Sequence, residues 1–196
     1  MQQKTLVLAI GLLASSAVFA ADPDGGQLQF GGLVSRNTCI MHVNGGAQDA
    51  TIQLETATSV AVENAGEVNL SATGAKPKLF SVKVDCSGSG MDLSMISDAV
   101  LKMASTYFGN SKGTLNNDVS VNEPAVGVNL AIHEIISAGN YKQVKVNDST
   151  DTHSKRFDSD GTATFNFAVS YIKQNASVPV VAGFVKSNAA YTFEYR

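Results

Sequence analysis

The last fourteen residues, Gly183 to Arg196, constrain the fold more than any other stretch. Taken by twos from Gly183, one face holds Val185, Ser187, Ala189, Tyr191, Phe193 and Tyr195, and the other holds Phe184, Lys186, Asn188, Ala190, Thr192 and Glu194. From Ala189 onward this is the period-2 alternation of a half-buried β-strand. Chain ends fray unless something ties them down. A strand this apolar at the end of the chain therefore belongs to a sheet, and something must cover it.

The rest of the sequence repeats the theme. Gln27 to Val34 alternates, with Gly26, Leu28, Phe30, Gly32 and Val34 on one face. Further strands are expected at Thr51–Leu54, Leu79–Val84, Ala125–Ile132, Tyr141–Val146, Ala163–Ile172 and Val178–Val185. Turn signals separate them: Asn44-Gly45-Gly46, Thr73 to Pro77, Ser87 to Gly90, Gly109 to Gly113 and Asp158 to Gly161. Many short strands with regular turns predict an all-β sandwich or barrel. Asp92 to Met103 also fits a short helix, with Leu93, Ile96, Val100 and Met103 on one side, or a strand-loop-strand passage.

Residues 1–20 read as a secretory signal peptide. Lys4 is the positive start, Leu6 to Ala14 the apolar centre, and Val18-Phe19-Ala20 a small-x-small cleavage site before Ala21. The apolar run is shorter than the ~20 residues a membrane span needs. The whole chain carries a formal charge of −3, and losing Lys4 makes it one unit more negative. An acidic chain without a basic cluster argues against a nucleic-acid partner. In an oxidising compartment the two cysteines, Cys39 and Cys86, are expected to form one disulfide. A metal site would want more ligands nearby, and a catalytic thiol a histidine partner.

Nothing in the sequence assembles a catalytic or metal centre. His42, His133 and His153 are far apart, and His133 sits in an alternating apolar run, where a structural role is expected. Asp148 and Asp151 fall in the polar stretch Asn147 to His153, which reads as a solvated loop. There is no Gly-x-Ser-x-Gly elbow and no phosphate-binding Gly-Lys loop. No enzyme activity, cofactor or metal is expected. Asn69, Asn147 and Asn175 each begin an Asn-x-Ser triplet, a pattern expected by chance in this composition.

An ordered set of motifs resembles the structural pilins of the bacterial chaperone–usher pathway, the type 1 and P-type fimbrial subunits. Gly25 to Val34 followed by Asn37-Thr38-Cys39 is similar to the family's donor segment and first cysteine. Phe80 to Cys86 resembles the strand ending in the second cysteine. Ala125 to Leu130 and Phe165 to Tyr171 resemble two later blocks. Gly183, fourteenth from the end, and the penultimate Tyr195 match the family's terminal pattern. Departures are Glu55 after Leu54, where many members have Gly, the terminal Arg196, where Gln is common, and a loose match from Val43 to Lys78.

The resemblance implies an incomplete immunoglobulin-like β-sandwich lacking its last strand. It divides the chain into a signal peptide (1–20), a donor-strand extension (21–36) and a pilin domain (37–196). The donor face would be Gly26, Leu28, Phe30, Gly32 and Val34. The accepting strand, also the site of chaperone capture, would comprise Gly183, Val185, Ala189, Tyr191, Phe193, Tyr195 and the carboxylate of Arg196. The implied partners are identical or related pilin subunits in a head-to-tail polymer, a periplasmic chaperone and an outer-membrane usher. The implied location is an extracellular fimbria reached through the periplasm. A minor adaptor subunit of the same pilus is the alternative, and a secreted β-sandwich binding module a further one. For the donor segment, the competing arrangement is intramolecular, covering the chain's own last strand.

Overall fold

The computed structural model describes residues 39–108 and 110–196. The expected signal peptide and the donor face from Gly26 to Val34 lie outside them. The regular structure of the described residues is nearly all β, and every strand ladder among them is antiparallel. Its elements are β1 (Ile40–Val43), α1 (Ser59–Ala65), β2 (Ala75–Asp85), β3 (Asp98–Ala104), β4 (Leu115–Asn116), β5 (Val128–Ser137), β6 (Asn140–Val144), β7 (His153–Arg156), β8 (Thr162–Lys173) and β9 (Ala190–Tyr195). One sheet runs β1-β2-β8-β5-β4, with β6 also on β5, and the second runs β7-β3-β9.

Alternation builds the core. In β2, Val82 and Val84 are buried, and Cys86 follows them inward; in β8, Ala163, Phe165 and Phe167 are buried between exposed Thr164 and Asn166. From Phe167 to Ile172 alternation gives way to continuous burial, as it does in β5 from Val128 to Glu134. The cause is a cover on the outer face of the sheet. The Gly66 carbonyl accepts from Lys173 N, Gly74 N donates to Ser170 Oγ at 2.8 Å, and His133 Nε2 donates to the Asn69 carbonyl at 2.7 Å. His133 is thus a structural histidine. Cys39 and Cys86 are disulfide-bonded, tying the start of β1 to the end of β2, where Ile40 pairs with Asp85.

Several expected elements differ. Asp92 to Met103 is not a helix: Asp92 Oδ1 accepts from both the backbone and the hydroxyl of Ser94, making a turn, and β3 follows with Ala99, Leu101 and Met103 buried. The one short helix among the described residues, α1, sits in the stretch where the pattern was loosest. Thr58 Oγ1 caps it by accepting from Ala61 N, and Gly66 ends it with φ 69°. β2 begins at Ala75, inside the expected Thr73–Pro77 turn, and accommodates Pro77 at a register shift between Ala75 and Lys78. β5 starts three residues later than expected, at Val128. Thr51–Leu54 alternates in exposure but joins no ladder among the described residues, and Val178–Val185 makes only two isolated bridges, Val126 with Val181 and Pro124 with Phe184.

Candidate functional site: an open groove beside the last strand

β9 is an edge strand. Its pairing with β3 sets Tyr195 against Ala99, Phe193 against Leu101 and Tyr191 against Met103. Arg196 N donates to the Asp98 carbonyl at 2.9 Å, and Asp98 N donates to the Arg196 carbonyl at 2.8 Å. Antiparallel ladders alternate bonded and non-bonded pairs. Hence Glu194, Thr192 and Ala190 also bond to β3, while the N–H and C=O groups of Tyr191, Phe193 and Tyr195 point to the open side.

The same parity continues upstream. Phe184 N donates to the Glu123 carbonyl and Ala125 N to the Phe184 carbonyl; Asp118 N donates to the Lys186 carbonyl, and Lys186 N to Asn117 Oδ1. Even-numbered residues are therefore held from the inner side. The odd-numbered ones, Val185, Ser187 and Ala189, extend the open edge toward β9. Side chains follow the backbone: Val185, Ser187, Tyr191, Phe193 and Tyr195 are half-buried, and Ala189 is exposed. Gly183 stands where this edge begins. A Cβ there would lie 2.5 Å from both Ala125 N and the Glu123 carbonyl oxygen, so only glycine lets the strand pass so close to that backbone.

The open edge forms one wall of an apolar groove of about 560 Å³. The opposite wall is the extended segment from Gln48 to Leu54, with Ile52 and Leu54 half-buried. Phe80, Val82, Leu115, Leu130, Ile132 and Val169 line the floor. Two hydroxyls here lack partners among the described residues, Ser187 Oγ and Tyr195 Oη, both buried. At the outer face of β9, Glu194 meets Lys102 at 2.7 Å and Arg196 at 3.1 Å, and the two cations lower its pKa below the ordinary carboxylate value through hydrogen bonds and charge.

Among the described residues the groove is lined by one acidic and one basic side chain, Asp49 on one wall and Lys186 on the other, with no hydrogen bond between them. The charged cluster of the fold lies elsewhere, and sequence reading missed it. His153 is fully buried, with Nδ1 2.5 Å from Glu134 Oε2 and Nε2 3.1 Å from Asp151 Oδ2. The stretch Asn147 to His153 is thus not simply a solvated loop, since Asp151 turns inward and also accepts from Lys145 N at 2.7 Å. Burial pushes the imidazole pKa down, but its bonds to Asp151 and Glu134 and their charges outweigh that and raise it above the usual histidine value. A polar stretch followed by His153 and a β-strand was the available signal; the partner Glu134, 19 residues away, was not.

The donor face, Gly26, Leu28, Phe30, Gly32 and Val34, lies outside the described residues. The seven positions expected on the accepting side are all described: Val185, Ala189, Tyr191, Phe193 and Tyr195 lie along the open edge with Ser187 between the first two, Gly183 stands where that edge begins, and Arg196 is turned the other way, its backbone bonded to Asp98.

Comparison with known proteins adds the family. The profile of the fimbrial protein family matches residues 28–196. No curated protein sequence matches the chain. A subunit from the structure of a chaperone–usher pilus, studied for rod uncoiling, superposes with a TM-score of 0.57 at 16% identity, covering 90% of this chain and 99% of that one. The P pilus rod subunit PapA superposes at 0.55 with 14% identity, covering 81% and 99%. At these identities the likeness is one of fold, an immunoglobulin-like sandwich.

Proposed function

The chain belongs to the fimbrial protein family, and from that membership we propose that it is a structural, non-catalytic subunit of a chaperone–usher pilus that polymerises by donor-strand exchange. The observation carrying this reading is the edge from Val185 to Tyr195, unpaired among the described residues, beside an apolar groove. A row of free N–H and C=O groups is a template for another strand. Strand addition supplies main-chain bonds, and alternate side chains supply the fit.

The segment with matching chemistry is Gly26 to Val34 of a second copy. Leu28, Phe30 and Val34 enter the groove, each contributing on the order of 1.5–3 kcal/mol by burial. Gly32 shares that face, and without a side chain it lets the donor backbone lie close to the floor. Each subunit gives one strand and takes one, so the contact is heterologous and builds a filament rather than a closed ring. Before assembly a periplasmic chaperone covers the same edge and holds the Arg196 carboxylate, and an outer-membrane usher receives the complex. The polymer is extracellular and serves adhesion. The presence of both a donor segment and an accepting groove favours a rod subunit over a terminal one; an adaptor carries the same pair.

The test is Phe30→Asp. The chain is expected to remain folded and chaperone-bound as a monomer, with no fibres by electron microscopy. Normal fibres from this variant would overturn the donor assignment.

A further inference from the structure

Tyr191 contributes to both walls of the groove. Its backbone lies on the open edge of β9, while its hydroxyl donates to the Gln48 carbonyl on the opposite wall at 2.6 Å. At the far end of that wall, Tyr171 Oη donates to the Glu55 carbonyl at 3.0 Å. Between these two points the backbone from Asp49 to Leu54 makes no hydrogen bond among the described residues. Ile52 and Leu54 pack against the core, but no ladder fixes the segment. Two phenols therefore fasten its ends. The bond from Tyr191 is made while the groove stands open, at about 560 Å³. It spans the gap without closing it.

We infer that Tyr191 is a positioning residue for strand capture, its hydroxyl holding the wall from Gln48 to Leu54 at the separation that admits one strand. The inference rests on the groove being the acceptor site. Burial, followed by the charge of Asp49, raises the Tyr191 phenol above its usual range, so it stays a donor at any physiological pH. An untethered wall carrying two apolar side chains would settle over the apolar floor or move freely. Either state must be reversed before a strand enters, and preorganisation removes that cost from the binding step. The effect belongs mainly in the association rate, because a bound strand orders the wall itself. One neutral hydrogen bond corresponds to a change on the order of three- to tenfold.

The experiment uses the chain from Ala21 onward carrying Phe30→Asp, so that its own arm does not compete, and a labelled peptide of residues 21–37. In this background Tyr191→Phe is expected to lower the backbone NMR order parameters at 49–54 and to slow peptide association three- to tenfold, with dissociation little changed. Replacing Tyr191 with 4-aminophenylalanine, which keeps a donor, is expected to restore both. Wild-type order parameters and association in Tyr191→Phe overturn the inference, as does faster association, which would make the hydroxyl a barrier. If the parent chain takes up no peptide, the acceptor reading itself fails, and the order parameters at 49–54 still decide whether the tether holds the wall. Should Tyr191→Phe not fold, the 4-aminophenylalanine variant is compared with 4-methylphenylalanine at the same site, and equal order parameters at 49–54 in the two overturn the inference.

Discussion

His153 on β7 donates through Nδ1 to Glu134 Oε2 on β5 at 2.5 Å, and so joins the two sheets of the sandwich by a charged bond inside it. Their side chains are 0% and 4% exposed. The other ring nitrogen donates to Asp151, and an imidazole donates from both nitrogens only when protonated. Lys155 Nζ lies 3.4 Å from Glu134, and Lys142 Nζ 3.7 Å from Asp151.

This network makes stability depend on pH in a defined window. The raised His153 pKa contributes stability that is complete below the ordinary histidine value of 6.5 and is lost as pH rises through the folded value. Burial pushes the Glu134 carboxyl up, but its bond to His153 and the charges of His153 and Lys155 bring it below its ordinary 4.5. That contribution is complete above 4.5 and is lost as pH falls through the folded value. Asp151 behaves in the same way, against an ordinary 3.8. The network's contribution is therefore greatest between pH 4.5 and 6.5. Urea midpoints across pH 3 to 9 check this. Glu134→Gln should flatten the profile and destabilise the fold by about 1.5–3 kcal/mol, the cost of losing a hydrogen bond between charged groups, while His153 keeps Asp151.

Gly183→Ala is expected to destabilise by about 1–3 kcal/mol, because the added methyl meets the backbone of Glu123 to Ala125 rather than a side chain that could yield. The displaced strand is the one leading into the open edge. Peptide uptake should fall along with the urea midpoint; an unchanged midpoint would show that the backbone there gives way freely.

Deleting Phe193 to Arg196 removes half of β9 and the aromatic packing of Phe193 against Phe165, whose ring centroids are 5.6 Å apart. The truncated chain is expected to be degraded in the periplasm instead of being captured by the chaperone. Its stable accumulation, measured by immunoblot of periplasmic extract, would count against the groove as the capture site.

Replacing both Cys39 and Cys86 with Ser removes a bond that closes a loop of sequence separation 47. The chain-entropy model puts its contribution at about 4 kcal/mol. The urea midpoint should drop accordingly, and reducing agent should lower the midpoint of the parent chain by a similar amount while leaving the double variant unchanged.

Local pattern carries far in this protein, and its limits have a physical origin. Alternation in Phe165–Phe167 and Tyr191–Tyr195 marked β8 and β9, because one face of each meets the core and the side-chain period of a strand is two. The cysteine pair in an exported chain pointed to the disulfide. Alternation failed in β5 because a segment from α1 to Gly74 covers its outer face, and burial on both sides erases the period. The segment from Asp92 to Met103 stayed open between a helix and a strand-loop-strand passage because apolar residues there satisfy spacings of both two and four, and the Asp92–Ser94 turn decides for the second. α1 has its local signals, Thr58 before it and Gly66 after it, but seven residues are too few for a periodic stripe to stand out.

The sequence by itself determined that the stretches of β2, β5, β6, β8 and β9 are strands, that the last of them has an apolar side, and that two cysteines are available to each other. Only the tertiary structure decided that β9 lies at an edge, that its odd-numbered backbone groups face an open groove, that Tyr191 reaches Gln48 across it, and that His153 meets Glu134 between the sheets. The reason is that alternation is a property of neighbouring residues along one strand. Which strand lies beside it, and which side of it is left unpaired, depends on contacts between residues far apart in the chain.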